Sequence, residues 1–435
     1  MKNKILLLAT LITMPFISQG QFLSEVVGVS SSTSPLPLSI VRTHLYDYTV
    51  SYGRLTSGNG HLVYSDHFNY SVGIHPPSPP RYVTLPSEIK SIWDITTTNT
   101  HVHFCGESSN GLGLIGFMKI PDFALSNATV FYVEIPDARL LHHLVAYTNS
   151  KNNQDVVAIG YSFSKGDNII VEFNHILNQT GSYKCAVLSG ELLSDVKYTP
   201  QAGVVFLGQN QVNQRLSIRK SIPELVVNSP VLNVQYLYTV PSGVASPASD
   251  VQLTEMTIAY TIGGSAQDEY ITQIRYIDLS TMQMYRSQSY TTNDRSAPVA
   301  MTYVPALPGP VMIHEYTLGG TSNSNFLYLD PGQTSTYAAK ALYHPLNRYS
   351  SITSFGGQFY AACGGNRLYY QDAYSMFPQS TQCIRVASQT ITPIESPNVT
   401  ELNNPVTVFT GKEKFKSNKR PVFYGLINPS CVNTK

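Results

Sequence analysis

The chain contains little charge of either sign. Its 435 residues include 28 lysines and arginines against 27 aspartates and glutamates, and charged residues make up only 13% of the sequence. A low and balanced charge gives no electrostatic footprint for nucleic acid or for an anionic membrane surface. We therefore expect no nucleic-acid partner.

Long apolar runs are also missing after the N-terminus. No later segment approaches the roughly 20 apolar residues that a membrane-spanning helix needs. The first residues, a basic 1–4 followed by an apolar 5–17, have the pattern of a secretory signal peptide. Residues 1–20 are therefore predicted to be a signal peptide, and residues 21–435 a secreted or periplasmic protein without a membrane span.

Five cysteines are few for an exported chain, and an odd number excludes a complete disulfide framework. Cys105 and Cys363 take the place that Ile159 and Leu207 occupy in similar segments, which predicts buried thiols. A bridge between Cys363 and Cys383 remains open at this point.

Helical periodicity is absent, since apolar residues are nowhere sustained at i, i+3, i+4 and i+7 beyond one or two turns. What recurs, about every fifty residues, is a short apolar run that often ends in glycine. The clearest copies are 102–106, 156–160, 204–208 and 360–364, and weaker copies lie at 62–66, 271–275 and 311–315.

A second short strand, often ending in an aromatic residue, precedes each apolar run, and turn-forming residues separate the two. This is the pattern of β-hairpins. Such units at a fixed period predict an all-β fold, a single β-propeller of seven blades with three to four antiparallel strands each. The blades are expected near residues 43–80, 90–135, 140–185, 190–225, 250–290, 296–340 and 346–390, with a C-terminal closing segment at 391–435.

The interval between the fourth and fifth blades is long and rich in proline, which predicts a loop insertion around residues 228–250. Closing the ring requires a strand from one end of the chain, because an open edge invites aggregation. Residues 26–42 or 421–424 are expected to supply it.

The spacing resembles that of β-propellers in general over nearly all of the mature chain. The sequence lacks the Trp-Asp blade ending of WD repeats, a double-glycine kelch signature in successive blades and the Ser-x-Asp-x-Gly-x-x-Trp box of sialidases. The resemblance therefore implies a fold and no transferable active site.

Histidines form two candidate clusters. His101, His103 and Cys105 share one face of a strand, but at roughly 3.3 Å per residue the first and last are about 13 Å apart, too far to share an ion. His103 is instead expected to pack between blades, and neither a metal nor a cofactor is predicted. His142 and His143 should point to opposite faces, so that at most one of them lines a central channel.

Residue types found in catalytic sites occur in the sequence, but not in the local arrangement that identifies an active site. The segments 65–67 (Ser-Asp-His) and 314–315 (His-Glu) lack the strained turn that marks a nucleophile. Paired carboxylates in a propeller funnel would support glycan hydrolysis. The candidate acids near strand ends are Asp47, Asp94, Glu172, Asp195 and Glu255.

The 29 tyrosines suit recognition surfaces as well as sheet packing. Since loops on a rigid scaffold carry recognition, we expect an exported binding protein whose loops and funnel hold a glycan, peptide or protein partner. The residues expected to contact the ligand are Tyr48, Tyr52, Trp93, Tyr147, Tyr198, Tyr260 and Tyr303. A glycan-active hydrolase is the alternative, and an assembly role at the cell surface is the third possibility. The sequence leaves the ligand, the binding face and the oligomeric state open.

Overall fold

A computed structural model provides the fold. It describes residues 23–26, 40–42, 48–54, 60–66, 81–119, 127–148, 154–163, 167–174, 180–211, 215–221, 235–239, 247–263, 270–292, 296–305, 307, 309–318, 321–328, 336–340, 349–355, 358–363, 367–372, 383–385, 406–414 and 416–424. The predicted signal peptide lies outside these residues.

Every regular element in this part of the chain is a β-strand, which confirms the all-β prediction. The strands are β1 Leu23–Val26, β2 Ile40–Arg42, β3 Tyr48–Arg54, β4 Gly60–Asp66, β5 Arg81–Thr84, β6 Ile89–Thr97, β7 His101–Ser108, β8 Gly113–Lys119, β9 Asn127–Ile135, β10 Ala138–Thr148, β11 Gln154–Ser162, β12 Asn168–Asn174, β13 Thr180–Leu188, β14 Glu191–Thr199, β15 Gly203–Asn210, β16 Arg215–Ser221, β17 Gln235–Thr239, β18 Ala248–Gln252, β19 Glu255–Gly263, β20 Tyr270–Asp278, β21 Gln283–Thr292, β22 Ser296–Tyr303, β23 Pro310–Leu318, β24 Thr321–Tyr328, β25 Thr336–Lys340, β26 Tyr349–Phe355, β27 Gln358–Cys363, β28 Arg367–Asp372, β29 Cys383–Arg385, β30 Val406–Lys414 and β31 Lys416–Tyr424. Among the described residues no helix is long and apolar enough to cross a membrane.

Consecutive strands pair antiparallel in groups of four, which we number from the first to the seventh. The groups are β2–β5, β6–β9, β10–β13, β14–β17, β18–β21, β22–β25, and β26–β28 joined by β1. In the seventh group β1 pairs with β28, with Leu23 opposite Tyr370. A strand from the start of the chain thus completes the last group, and it lies almost wholly before the predicted segment 26–42.

The first strands of these groups lie side by side. β2 contacts β6, and the contacts continue through β10, β14, β18, β22 and β26 back to β2. The groups therefore surround a common axis that their first strands line. The number of blades stays a prediction.

The fourth group extends further than expected. Its last strand, β17, pairs with β16 and lies inside residues 228–250, where the sequence predicts a loop. Pro230 and Pro241 suggest a loop because proline cannot donate to a sheet ladder. They lie on either side of β17, and none occurs within it.

β-bulges interrupt the first strand in five groups, at one or two residues that have no partner in the register. The extra residues are Lys90 and Trp93 in β6, Arg139 and His142 in β10, and Ser194 in β14. The corresponding residues of β22 and β26 are Val299 and Ser350. A bulge redirects side chains and increases the local twist.

The glycines of the sequence motif face these bulges. Gly106, Gly160 and Gly208 each lie opposite the residue that precedes a bulge. A Cβ atom on Gly106 or Gly160 would lie 1.9 Å from a backbone carbonyl oxygen of the bulged strand, and one on Gly208 would lie 2.7 Å away. The backbones approach so closely that a side chain does not fit.

The core lies between neighbouring groups. Cys105 and Ile115 of the second group pack in one apolar cluster with Ala158, Val171 and Cys185 of the third. Cys105 and Cys185 are buried free thiols, which confirms the prediction for Cys105. The side chain of Cys363 lies outside the described part, so its predicted burial stays a prediction.

The C-terminal strands β30 and β31, which we call the belt, run along the outer edges of three groups. β30 pairs with β13 over nine residues, and β31 pairs first with β9 and then with β5. The outermost strands of the third, second and first groups are therefore covered. The predicted closing segment 421–424 belongs to this belt.

Candidate functional site in the axial funnel

The first strands enclose a cavity of about 420 Å³ on the axis, which we call the funnel. This is the size of a site for a small ligand or for the end of a polymer. Six first strands contribute to its wall, from β6 to β26. Its lining comprises Trp93, Asp94, Leu140, His142, His143, Tyr161, Leu193, Ser194, Asp195, Lys197, Pro247, Ala248, Ser249, Val299, Ala300, Met301, Ser351 and Ile352.

The bulges supply a distinct part of this lining, since Trp93, His142, Ser194 and Val299 all face the funnel. The prediction that at most one of His142 and His143 lines the channel is wrong. It assumed regular alternation, and the bulge at His142 breaks that alternation.

Asp94 and His143 form the first polar pair of the funnel. The Asp94 Oδ2 atom lies 3.5 Å from His143 Nδ1 and accepts the Leu144 N–H at 3.0 Å, while Oδ1 accepts the Ile95 N–H at 2.9 Å. Burial lowers the pKa of His143, but the hydrogen bond to Asp94 and the charges of Asp195 and Asp94 outweigh it and raise the pKa. His143 is thus stabilised in its charged form.

The neighbouring His142 behaves in the opposite way. Its burial and the charge of His143 lower the pKa of His142 to about 3. Its ring contacts those of His143 and Tyr161, with centroids 5.0 Å away in each case. His142 is therefore a neutral part of the wall at ordinary pH.

Asp195 and Lys197 form the second polar pair. Asp195 Oδ1 lies 3.3 Å from Lys197 Nζ and accepts the Val196 N–H at 2.8 Å, and Oδ2 accepts the Ser249 hydroxyl at 2.7 Å. Burial lowers the pKa of Lys197, but the charges of Asp195, Asp250 and Asp94 outweigh it and raise the pKa. The ammonium group therefore stays charged.

A third aspartate, Asp250 on β18, accepts the Tyr303 N–H of β22 at 2.6 Å. Burial raises the pKa of Asp250, against the charge of Lys197 and the backbone N–H groups of Tyr303 and Val251. Asp94, Asp195 and Asp250 each accept a donor from the next first strand around the axis. The three carboxylates thus join neighbouring groups, and two of them, Asp94 and Asp195, line the funnel.

The basic member of each pair is the more exposed one. The His143 side chain is 40% accessible against 22% for Asp94, and Lys197 is 29% accessible against 11% for Asp195. Asp94 and Asp195 lie deeper in the wall than their bases, and their oxygens already accept hydrogen bonds from the strands. A molecule entering the funnel therefore meets hydrogen-bond donors first.

The opposite wall is mainly apolar. Pro247, Ala248, Val299, Met301 and Ile352 come from or next to β18, β22 and β26. The charged side chains of the funnel lie on β6, β10 and β14. The cavity thus has a charged half and an apolar half.

Among the residues predicted to bind a ligand, Trp93 lies in the funnel with 38% of its side chain exposed. Tyr147 is buried, and its hydroxyl donates to Glu172. Tyr198 is half-buried and donates to the Thr148 carbonyl at 3.4 Å.

Tyr260 and Tyr303 are also buried, and the Tyr303 hydroxyl donates to Glu255 at 3.1 Å. The side chains of Tyr48 and Tyr52, on β3, lie outside the described part. Of the five residues whose side chains are described, the structure brings one, Trp93, into the funnel wall. The ligand-binding role of the set stays a prediction.

Of the acids predicted as candidates, some line the funnel and others do not. Asp94 and Asp195 line the funnel, whereas Glu172 pairs with Tyr147 away from its wall. Glu255 lines a different cavity, of about 490 Å³, together with Asp278 and Tyr285. Asp47 lies outside the described residues.

The other histidine candidates are parts of the packing. His103 is fully buried, and its ring lies 5.9 Å from those of His101 and Phe117. His314 is buried, and burial lowers its pKa to about 4. The side chains of residues 65–67 lie outside the described part. Within the described part of the chain, no three His, Cys, Asp or Glu side chains are grouped to hold a metal ion.

Lys197, Ser249 and Asp250 were not predicted from the sequence as functional residues. A signal for them was present, because Ser249-Asp250 repeats Ser194-Asp195 and follows the register of Trp93-Asp94. Aligning the strands upstream of the apolar runs would have placed these residues at one level around the axis.

No protein-family model matches the chain, and no curated protein sequence matches it. Among solved structures, a catalytically inactive virginiamycin B lyase from Staphylococcus aureus with quinupristin is similar, with a TM-score of 0.50 and 10% identity over 80% of this chain and 99% of that one. Polysaccharide lyase Uly1 matches with a TM-score of 0.40 and 9% identity over 83% of this chain and 94% of that one. The Nup133 β-propeller domain of Vanderwaltozyma polyspora matches with a TM-score of 0.32 and 9% identity over 77% and 99%.

The likeness to the virginiamycin B lyase, which is a β-propeller, shows the fold. The predicted fold class, an all-β propeller of antiparallel strands, is thereby confirmed. At 10% identity the likeness extends to the fold alone.

Proposed function

We propose that this protein is an exported binding protein that holds its ligand in the axial funnel. The observation that carries the proposal is the wall of the funnel: a cavity of about 420 Å³ with an exposed aromatic residue, Trp93, and convergent polar groups on rigid strands. Small-molecule sites combine such an apolar lining with a few well-placed polar groups.

Several features support binding at this place. The Asp94 and Asp195 carboxylates are held by backbone N–H groups and by the Ser249 hydroxyl, and they in turn hold His143 and Lys197, so these side chains lose little conformational freedom when a ligand arrives. Trp93 offers a flat apolar surface, and its indole N–H donates to Ser91 at 3.1 Å, which fixes the ring.

The experiment measures binding of the purified protein to a panel of glycans, short peptides and small organic acids. With any ligand that binds, we expect Trp93→Ala to weaken the affinity at least about tenfold, the scale of a lost aromatic anchor. Phe163→Ala is the matched control, because Phe163 is exposed and absent from the funnel wall. Equal losses in both variants, or none in either, would place the ligand elsewhere.

A glycan-active enzyme is the second candidate, and the Asp94–His143 pair is the observation that favours it. An imidazole held by a carboxylate is an arrangement that supports general acid–base chemistry, and Asp195 adds a second carboxylate to the same wall. Recovery of the bound compounds distinguishes the two functions. A ligand recovered intact supports binding, and a cleaved product that disappears with His143→Gln supports the enzyme.

A further inference from the structure

The division of the funnel into two halves indicates the chemistry of its ligand. We infer that the funnel binds a carboxylate carried on an apolar group, with the carboxylate against Lys197 and His143 and the apolar group against β18, β22 and β26. This inference rests on the proposed binding function and deepens it.

The more exposed hydrogen-bonding groups of the charged half are donors. Both oxygens of Asp94 and of Asp195 already accept groups from the strands. Lys197 has three N–H bonds, and Asp195 is its one acceptor in the described part of the chain. His143 directs Nδ1 to Asp94, so Nε2 lies on the opposite side of its ring.

The accessibility of the side chains leads to the same conclusion. In each ion pair the base, His143 or Lys197, is more exposed than its acid. A ligand with acceptor oxygens therefore forms charge-assisted hydrogen bonds without displacing the existing ones. A hydroxyl-rich ligand would need acceptors as well as donors, and the acceptor oxygens of Asp94 and Asp195 are less exposed than the two bases and already accept strand donors.

The apolar half determines the rest of the ligand. Val299, Met301 and Ile352 present aliphatic and thioether surface, with Pro247 and Ala248 beside them. Burying an aliphatic or aromatic group there is favourable in proportion to the apolar area removed from water. N-acetylated leucine or phenylalanine, as a free acid, has both parts in one molecule of suitable size.

Calorimetric titration of the purified protein with N-acetyl-leucine and N-acetyl-leucinamide tests the inference. We expect the acid to bind at least about tenfold more tightly than the amide, because the neutral amide carries no negative charge to pair with Lys197 and His143. Lys197→Met should remove this difference, while Lys220→Met, which changes a lysine outside the funnel, should preserve it. A hexapeptide ending in leucine distinguishes a peptide end from a free small acid, since only a peptide-binding funnel would prefer it.

Two further variants complete the test. His143→Gln provides a second variant that should reduce the preference for the acid, so that the inference does not depend on the folding of Lys197→Met. Val299→Asn should weaken the acid and the amide alike. Equal affinity for acid and amide would overturn the inference. Tight binding of neutral glycans that is lost with Trp93→Ala would also overturn it but leave the proposed function standing, and binding of nothing in the panel would overturn both.

Discussion

The glycine that ends the recurring apolar run acts at the scale of single residues. Gly160 faces the bulge at His142, and a Cβ on it would lie 1.9 Å from the Leu140 carbonyl oxygen and 2.7 Å from the Leu141 Cα. Both atoms belong to the backbone and cannot turn away as a side chain can. The glycine therefore permits the bulge, and the bulge turns a side chain into the funnel.

This relation predicts the effect of a single methyl group. Gly160→Ala should lower the free energy of unfolding by about 3 kcal/mol, the upper range of overpacking costs, because two strands must separate to admit the Cβ. The measurement is the midpoint of denaturant unfolding. Gly111→Asn is the control: Gly111 has a positive φ of 74° and open space around its Cβ position, and asparagine tolerates that conformation. A Gly160→Ala protein as stable as the control would contradict this role of the glycine.

At the scale of elements, the first strands are joined through carboxylates. Asp94 of β6 binds the Leu144 N–H of β10, Asp195 of β14 binds Ser249 of β18, and Asp250 binds the Tyr303 N–H of β22. The partners are 50, 54 and 53 residues apart, which is about one repeat. We call each such contact between neighbouring first strands a seam. The residues joined across a seam are separated by about the repeat length seen in the sequence.

The seam between β6 and β10 should respond to pH. The pKa of His143 is raised in the folded state above its ordinary value of 6.5, so its contribution is present at low pH and is lost as the pH rises through the folded-state pKa. The stability difference between the wild type and His143→Gln should therefore be larger at pH 5.5 than at pH 8.5. Denaturant unfolding of both proteins at the two pH values measures it.

His142→Gln is a control of opposite sign. The pKa of His142 is lowered to about 3, so its unfolded form takes up a proton that the folded form does not. The stability that depends on this neutral state is lost as the pH falls below about 6.5. Removing His142 should therefore make the protein relatively more stable in acid. The same pH trend in both variants would contradict the assignment of the seam.

At the scale of the whole molecule, strands from both chain ends complete the sheets. β1 adds the fourth strand to the seventh group, and the belt covers the outer edges of the third, second and first groups. Uncovered edges present unpaired N–H and C=O groups to other chains. Both ends of the described chain thus protect the molecule from edge-to-edge association.

Removing the belt should change the association of the protein in solution. Deletion of residues 405–435 leaves β13, β9 and β5 without their outer partners, and we expect larger species than the intact chain forms. Light scattering after size-exclusion chromatography measures this, and a peptide of residues 406–424 added in excess should reverse it. Lys416→Ala is the control, because its exposed ion pair with Glu134 contributes at most about 1 kcal/mol. An unchanged mass after the deletion would show that the belt does not protect these edges.

The sequence by itself determined the all-β class of the described residues, the period of the repeat and the burial of Cys105, because these follow from local patterns of apolar, turn-forming and glycine residues. It also contained Trp93 and Asp94 as candidates. Only the tertiary structure decided that His142 and His143 both line the funnel and that Lys197 is more exposed there than Asp195. It also decided that Tyr147, Tyr260 and Tyr303 are buried, and that β17 and the belt are strands. The physical reason is that a bulge, an ion pair or an outer-edge strand depends on residues about a whole repeat or more away in the chain, and local periodicity contains no information about them.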